Sequence, residues 1–411
     1  MYKVASIGSG THGLLAILNP KMDTVAFCDI SEKKRNDAVK IAEVLKDEMK
    51  ADKEPTPVRG YADYREMIEK EKPDIVTIMT PNPLHADMSV FALEHGAHVF
   101  VEKPMCVSYE QCEQMVDAVR RTGLKLAVNQ CGRTIQALQS VYDRKAAGRI
   151  GAPYYIRAEY LHGTLRPRLE NPNDLSGQDP VLLGGGSHPI DLILGLMDDP
   201  PESVSANGSK FMTSPAYLHN DMMNVLIRFP GGKTGYVVTT HSCYRRGLGL
   251  AFELYATKAD IIQTVTYVQG KEPSGLRVFD AEGGRSVYEF SDTQTEIQCG
   301  HGEGFYRQQE NLLQAIEHDV KNRTMADVVD GARTVSVALA AGESARTGKS
   351  VPMRQWEPLT YTGTGPLWDL DDYQQDMLRA YAPVLSNENR KKILGVTEWS
   401  GYKHDWTERD R

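Results

Sequence analysis

Three glycines at positions 8, 10 and 13, a carboxylate at 29 and a lysine at 103 are the residues of this chain whose type and spacing can carry chemistry most directly. Gly8-Ser9-Gly10-Thr11-His12-Gly13 follows the apolar run Tyr2 to Ile7 and precedes the run Leu14 to Leu18. In that setting Gly8 permits a tight turn, Gly10 lets the backbone approach a pyrophosphate, and Gly13 allows close packing of helix on strand. The phosphates then lie over a helix N-terminus, beside Thr11 and His12. A second apolar run, Val25 to Cys28, ends in Asp29. A carboxylate there accepts hydrogen bonds from adenosine ribose hydroxyls and repels a 2′-phosphate, so the pattern predicts NAD over NADP, with Lys33, Lys34 and Arg35 softening the preference. Glu102-Lys103-Pro104 follows another apolar run, which puts Lys103 where a bound nicotinamide would meet a substrate hydroxyl.

The first third of the chain alternates strand and helix, and so can position these groups. Helices are predicted over Ser31 to Met49, Asp63 to Lys70, Ala86 to His95 and Tyr109 to Thr122, with strands over Asp74 to Met79, His98 to Val101 and Lys125 to Val128. Fully apolar strands between helices imply a doubly wound parallel sheet covered on both faces, which binds ligands at the carboxyl ends of its strands. The glycine loop and Thr80-Pro81-Asn82 both follow strands and should line one crevice, with His85 in its wall. After a helix from Ile135 to Ala147 and the turn Gly148 to Gly151, strands recur at Tyr154 to Leu161, Val204 to Phe211, Met222 to Phe229, Thr234 to His241, Ala251 to Ala256 and Ile261 to Tyr267. Hairpin cues such as Pro230-Gly231-Gly232-Lys233 make this a mostly antiparallel sheet. Two late helices, Phe305 to Lys321 and Asp327 to Thr347, carry apolar residues at helical spacing and can pack back on the first sheet.

Composition narrows the function classes. The 411 residues carry a net charge of −8, with 41% apolar and 25% charged residues. That balance opposes a nucleic-acid or anionic-membrane binder, which needs clustered Lys and Arg, and fits a small-molecule enzyme. No apolar run approaches the length of a membrane span, and the strand starting at Tyr2 leaves no room for a signal segment. The six cysteines are scattered without a CxxC pair, and the 11 histidines show no ligand spacing. The expectation is reduced thiols, a cytoplasmic location and no metal site.

The motifs GSGTHG, TPNPLHADMSVFALEHGAHVFVEKP, GRIGAP, SHPIDLILGL and VVDGARTVSVALAAGESARTGKSV, in this order over about residues 1 to 353, resemble the Gfo/Idh/MocA family of nicotinamide-dependent sugar and polyol oxidoreductases. The resemblance implies an α/β chain: an N-terminal Rossmann domain (1–130), then a C-terminal α/β domain (131–354) on an open, mostly antiparallel sheet through which homo-oligomers form. Residues 355–411 lie outside it, and their tryptophans and tyrosines are expected to anchor the tail on its own or a neighbouring subunit. It also implies a cis bond before Pro104, Lys103 as active-site lysine, His188 as catalytic histidine with Asp191 in the helix that follows, and Asn82 and Glu102 at the nicotinamide ribose. One departure stands out: the family's aspartate four residues before the histidine is Gly184 here.

The implied reaction oxidises a secondary hydroxyl of a sugar, glycoside or cyclitol, glucoside 3-oxidation being one case. A near-neutral histidine suits the base that removes the hydroxyl proton, and an ammonium suits the group that holds the oxygen, so His188 is read as general base and Lys103 as anchor and proton relay. Arg133, Tyr160, His162 and Asp191 are candidate substrate contacts, followed by Asp179, Arg166, Arg168, His219, His241, Tyr244, Arg245 and Arg246. Two alternatives stay open: a redox-neutral, NAD-dependent glycoside hydrolase, and a non-enzymatic sugar or dinucleotide sensor.

Overall fold

The computed structural model describes residues 1–9, 11–48, 56–161, 180–211, 217–243, 249–263, 274–281, 283–290 and 302–363. Six short strands, β1 (Tyr2–Ile7), β2 (Met22–Cys28), β3 (Arg59–Tyr61), β4 (Ile75–Ile78), β5 (His98–Val101) and β6 (Leu126–Val128), form a parallel sheet in the order β3-β2-β1-β4-β5-β6. The direction of winding reverses between β1 and β4, and the crevice at their carboxyl ends is where such a fold binds a dinucleotide. Strands β1, β2, β4, β5 and β6 are largely buried and apolar because helices cover both faces, whereas the edge strand β3 is exposed. Helix ends follow local chemistry. Ser108 caps the Tyr109–Thr122 helix by accepting from Gln111 N, and Gly123 closes it at φ 70°.

The first helix is shorter than the apolar run suggested, with one α turn at Thr11–Leu14 passing into a 3₁₀ turn at Leu15–Leu18. Asn19 is extended (φ −88°, ψ 117°), as a residue before proline tends to be, and Pro20 therefore stops the helix.

Nine further strands make the second sheet: β7 (Pro153–Leu161), β8 (Ser203–Ser209), β9 (Met222–Arg228), β10 (Thr234–Thr240), β11 (Gly249–Ala256), β12 (Ala259–Gln263), β13 (Ser274–Asp280), β14 (Arg285–Phe290) and β15 (Val351–Pro352), in the order β14-β13-β12-β11-β7-β10-β9-β8-β15. Only β7 and β10 pair in parallel; every other described pairing in this sheet is antiparallel. That parallel pair brings the ends of β7 and β10 to the same edge, with Tyr160 opposite Thr239 and Leu161 opposite Thr240.

The Ser187–Leu196 helix packs on β7, β10 and β11, and the Val328–Thr347 helix lies between β8 and the Tyr109–Thr122 helix, so one hydrophobic core runs from the first sheet into the second. The Gly302–His318 helix packs back on β6 and the Leu15–Leu18 turn. Beyond it the chain is anchored by Trp356, whose Nε1 donates to Ser336 Oγ at 2.9 Å, and by Tyr361, whose hydroxyl donates to Asp327 Oδ2 at 3.2 Å. Strands β3, β13, β14 and β15 were not expected from the sequence, and the predicted continuation of β12 to Tyr267 lies outside the described residues. Among the described residues no helix is long and apolar enough to cross a membrane.

Candidate active site

The dinucleotide end of the crevice is built by contacts that only glycine permits. Gly8 has φ +93°, and a Cβ there would lie 2.3 Å from the Met79 carbonyl oxygen at the end of β4. A Cβ on Gly13 would lie 2.4 Å from the Gly8 carbonyl oxygen. The loop is thus pressed against β4 and folded on itself, which brings backbone to the mouth of the crevice. Asp29, at the end of β2, is tied to this loop: its Oδ2 accepts from Ser9 Oγ at 2.6 Å and Ser9 N at 3.3 Å, and its Oδ1 accepts from Ser31 N at 2.9 Å. A partly exposed carboxylate beside a glycine loop at the sheet's switch point fits a ribose of NAD. Gly10 and the side chains of Thr11 and His12 lie outside the described residues.

The next wall comes from β4, β5 and β6. After β4, Thr80 and Pro81 lead into a 3₁₀ turn at Asn82–Leu84. His85, the first residue of the helix that follows, is completely buried: Nδ1 meets the Pro104 carbonyl at 2.9 Å and Nε2 the Thr80 carbonyl at 2.8 Å. Burial lowers its pKa, against the pull of these carbonyls. His85 therefore sits buried between the Thr80 turn and the Glu102-Lys103-Pro104 turn, its ring facing a carbonyl of each. The Lys103–Pro104 peptide is cis. Glu102 accepts from Lys103 N at 2.9 Å through Oε2 and from Asn129 Nδ2 at 2.7 Å through Oε1. Asn129 and Gln130 directly follow β6 and are buried at this end of the sheet. The sequence reading missed them, although the rule that ligands bind where strands end would have pointed there.

The second sheet supplies the opposite wall. Lys103 Nζ reaches 3.5 Å from the Gly184 carbonyl oxygen, in the turn before the Ser187–Leu196 helix. His188 lies in the first turn of that helix, 5% exposed, with its ring 5.2 Å from that of Tyr160, centroid to centroid. Behind it, a Cβ on Gly132 would lie 3.6 Å from His188 Nδ1. His241, just past β10, accepts the Gly185 N–H at Nε2 (3.0 Å) and is buried. Burial, and then the charge of Lys103, push its pKa down to about 3. Lys103, His188, Tyr160 and His241 thus meet around one turn of three glycines. Cys131 is close to this group, but burial and then Glu102 raise its thiol to about 12, so it stays protonated.

Arg133 and Asp191, expected beside substrate, pair with each other. Arg133 Nε donates to Asp191 Oδ2 at 2.7 Å and Nη2 to Oδ1 at 2.8 Å, while Nη1 donates to the Met325 carbonyl at 2.7 Å and to Asp330 Oδ2 at 3.2 Å. Both are buried. Burial opposes the guanidinium charge, and Asp191 with Asp330 more than offsets it. Lys321 extends the network, reaching Asp327 and Asp330 at 2.8 Å each. This bidentate pair joins the Cys131–Thr134 turn to the His188 helix, one turn beyond His188. His219 is exposed and lies edge-on to Tyr217. His162, Arg166, Arg168, Asp179, Tyr244, Arg245 and Arg246 lie outside the described residues.

Comparison with known proteins identifies the fold and the family. A family described as "Oxidoreductase family, NAD-binding Rossmann fold" matches residues 3–130, and the "GFO/IDH/MocA C-terminal domain" matches residues 138–262. The 1,5-anhydro-D-fructose reductase of Ensifer adhaerens is 30% identical over 233 residues, 55% of this chain and 67% of that one. The scyllo-inositol 2-dehydrogenase (NAD(+)) of Bacillus subtilis is 25% identical over 305 residues, 73% of this chain and 83% of that one. Other curated relatives are matched over 59% and 47% of their own length. A levoglucosan dehydrogenase solved with NADH superposes with a TM-score of 0.72 at 21% identity, covering 86% of this chain and all of that one, and shows the same fold. With a glycine loop that fits NAD, a second mixed sheet and both family domains matched in order, this chain belongs to the Gfo/Idh/MocA family of NAD-binding sugar and polyol oxidoreductases.

Proposed function

We propose that the protein oxidises a secondary ring hydroxyl of a sugar, glycoside or cyclitol, with His188 as the general base and Lys103 as the group that holds the hydroxyl oxygen. The observation that carries this reading is that Lys103, which follows β5 of the first sheet, reaches the Gly184 carbonyl oxygen at 3.5 Å, four residues before His188 in the first turn of the Ser187–Leu196 helix. The glycine loop would hold the pyrophosphate, Asp29 the adenosine ribose, and Asn82 and Glu102 the nicotinamide ribose. When bound there, NAD supplies the acceptor for the hydrogen that leaves carbon with its electron pair.

The chain's own residues handle the proton. Carbon gives up its hydrogen with the electron pair only as negative charge builds on the oxygen, so the site needs a cation at the oxygen and a base within reach of the hydroxyl proton. Lys103 serves as the cation, with its backbone N–H held by Glu102 and its ammonium turned toward the Gly184 carbonyl. His188 serves as the base, a buried imidazole set in place by its helix and flanked by Tyr160. Tyr160 packs beside the His188 ring and against Gly185, and the Arg133–Asp191 pair positions the His188 helix.

The test is purified protein with NAD challenged by cyclitols, free sugars, and O- and C-glucosides, recording nicotinamide reduction and products together. Reduction matched by a keto product supports the proposal. Release of free sugar without net reduction, or NAD binding with no turnover on any compound, would refute it.

A further inference from the structure

Three consecutive glycines precede Ser187 and His188, and each lies where a side chain could not. A Cβ on Gly186 would lie 2.7 Å from Leu182 Cα, so the turn is tight within itself. The other two are crowded from outside. A Cβ on Gly184 would lie 2.8 Å from His241 Cε1, and one on Gly185 would lie 2.5 Å from His241 Nε2 and 2.6 Å from Tyr160 Cδ1. The imidazole of His241 thus occupies the volume that side chains at 184 and 185 would fill. His241 is itself fixed, because its backbone N–H donates to the Asp221 carbonyl at 3.3 Å at the end of the parallel β7–β10 pair.

The contact is directional as well as steric. Gly185 N–H donates to Nε2 at 3.0 Å, so Nε2 is the acceptor and the ring proton sits on Nδ1. The Gly184 carbonyl that faces Lys103 belongs to the same peptide unit as that N–H. A peptide unit is planar, with its N–H and C=O pointing in opposite directions, so holding one sets the other. Ser187 Oγ donates to the same carbonyl at 2.9 Å and leaves the oxygen's second lone pair for the ammonium. Burial and the Lys103 charge keep the imidazole neutral, which preserves Nε2 as an acceptor.

We infer that His241 is a positioning residue for Lys103: its Nε2 holds the Gly184–Gly185 peptide so that the Gly184 carbonyl faces the Lys103 ammonium. In this chain a backbone carbonyl, steered by an imidazole from the second sheet, stands where position 184 has no side chain to offer. The inference rests on the proposed role of Lys103 and adds what holds that group in place.

Three variants test it, each first shown to bind NAD as the wild type does. Glutamine places its terminal acceptor near the position of Nε2, leucine fills the space without an acceptor, and asparagine places its acceptor nearer to Nδ1. His241→Leu and His241→Asn are expected to lower kcat on the order of tenfold or more, while His241→Gln stays within roughly threefold of wild type. In a Lys103→Met background His241→Leu should cost nothing further, because the two act as one unit. Wild-type kcat in His241→Leu, or a loss that multiplies in full with that of Lys103→Met, would overturn the inference. Should His241→Leu fail to fold, the Gln and Asn variants decide: equal activity overturns the inference, and Gln well above Asn supports it. Near-normal turnover in Lys103→Met alone would instead refute the proposed role of Lys103, a result distinct from the failure of His241.

Discussion

Replacing Arg133 with methionine should unfold the protein far more readily than it harms substrate binding. In the native chain both oxygens of Asp191 accept from Arg133, at 2.7 and 2.8 Å, and the two side chains are only 3–4% exposed. Methionine approximates the volume of the arginine stem and leaves a buried carboxylate, with Thr334 Oγ1 at 3.4 Å as its donor among the described residues. Breaking one side of such a pair costs about 3–5 kcal/mol, whereas replacing both partners with apolar residues can be nearly neutral. Arg133→Met should therefore lose about 3–5 kcal/mol, and Arg133→Met with Asp191→Leu should recover part of it, because the Met325 carbonyl and Asp330 still lose the Arg133 donor.

The pH dependence fixes the sign. Burial already pushes the Asp191 carboxyl up against the pull of Arg133, and removing the guanidinium raises it further. A carboxyl whose folded pKa exceeds its unfolded value binds more protons when folded, so its penalty is greatest at high pH and is relieved as pH falls toward the unfolded value near 3.9. The variant should thus be less destabilised at pH 5 than at pH 8. Urea unfolding followed by tryptophan fluorescence, at fixed protein concentration without NAD, measures both effects; Trp356, packed on the Val328–Thr347 helix, reports on the same region. A loss under about 1 kcal/mol together with a large rise in substrate KM would show that Arg133 touches substrate and that the ion-pair reasoning is wrong.

Two further outcomes follow from local geometry. Gly13→Ala puts a methyl 2.4 Å from a backbone oxygen of the same loop, so NAD affinity, read by fluorescence titration, should fall at least about tenfold while the second sheet stays folded. His241, held near 3 by burial and then by Lys103, is a histidine with a depressed folded pKa, so the unfolded state takes up the proton first and stability falls as pH drops below about 6.5. Between pH 7 and pH 5 this amounts to about 2 kcal/mol. His241→Gln should lose that part of the acid sensitivity in urea unfolding, and an unchanged pH dependence would contradict it.

The first sheet was legible apart from its exposed edge strand β3, because its other strands are largely buried and read as short apolar runs punctuated by Gly8, Gly96 and Gly123. Its crevice could be placed from strand ends alone. The second sheet was harder at its margin: in β14, Ser286 and Val287 are exposed, so no alternation of buried and exposed residues announces a strand. Arg133 and Asp191 carry the residue types of a substrate clamp, and nothing local reveals that they meet across 58 positions. His241 shows the same limit from the other side. The glycine run at 184–186 signals a close approach, but the ring that approaches lies 56 residues from Gly185 and becomes visible only once β7 and β10 pair in parallel.

The most direct test of the proposed chemistry is a single-turnover measurement of nicotinamide reduction with the best substrate of the panel, comparing wild type with Lys103→Met, His188→Ala and the double variant. Each single change should slow the step on the order of 100-fold or more with NAD affinity retained, and the double variant should be little slower than the worse single one. Near-wild-type rates in both single variants would contradict the assignment of Lys103 and His188 as the groups that hold the oxygen and remove the proton.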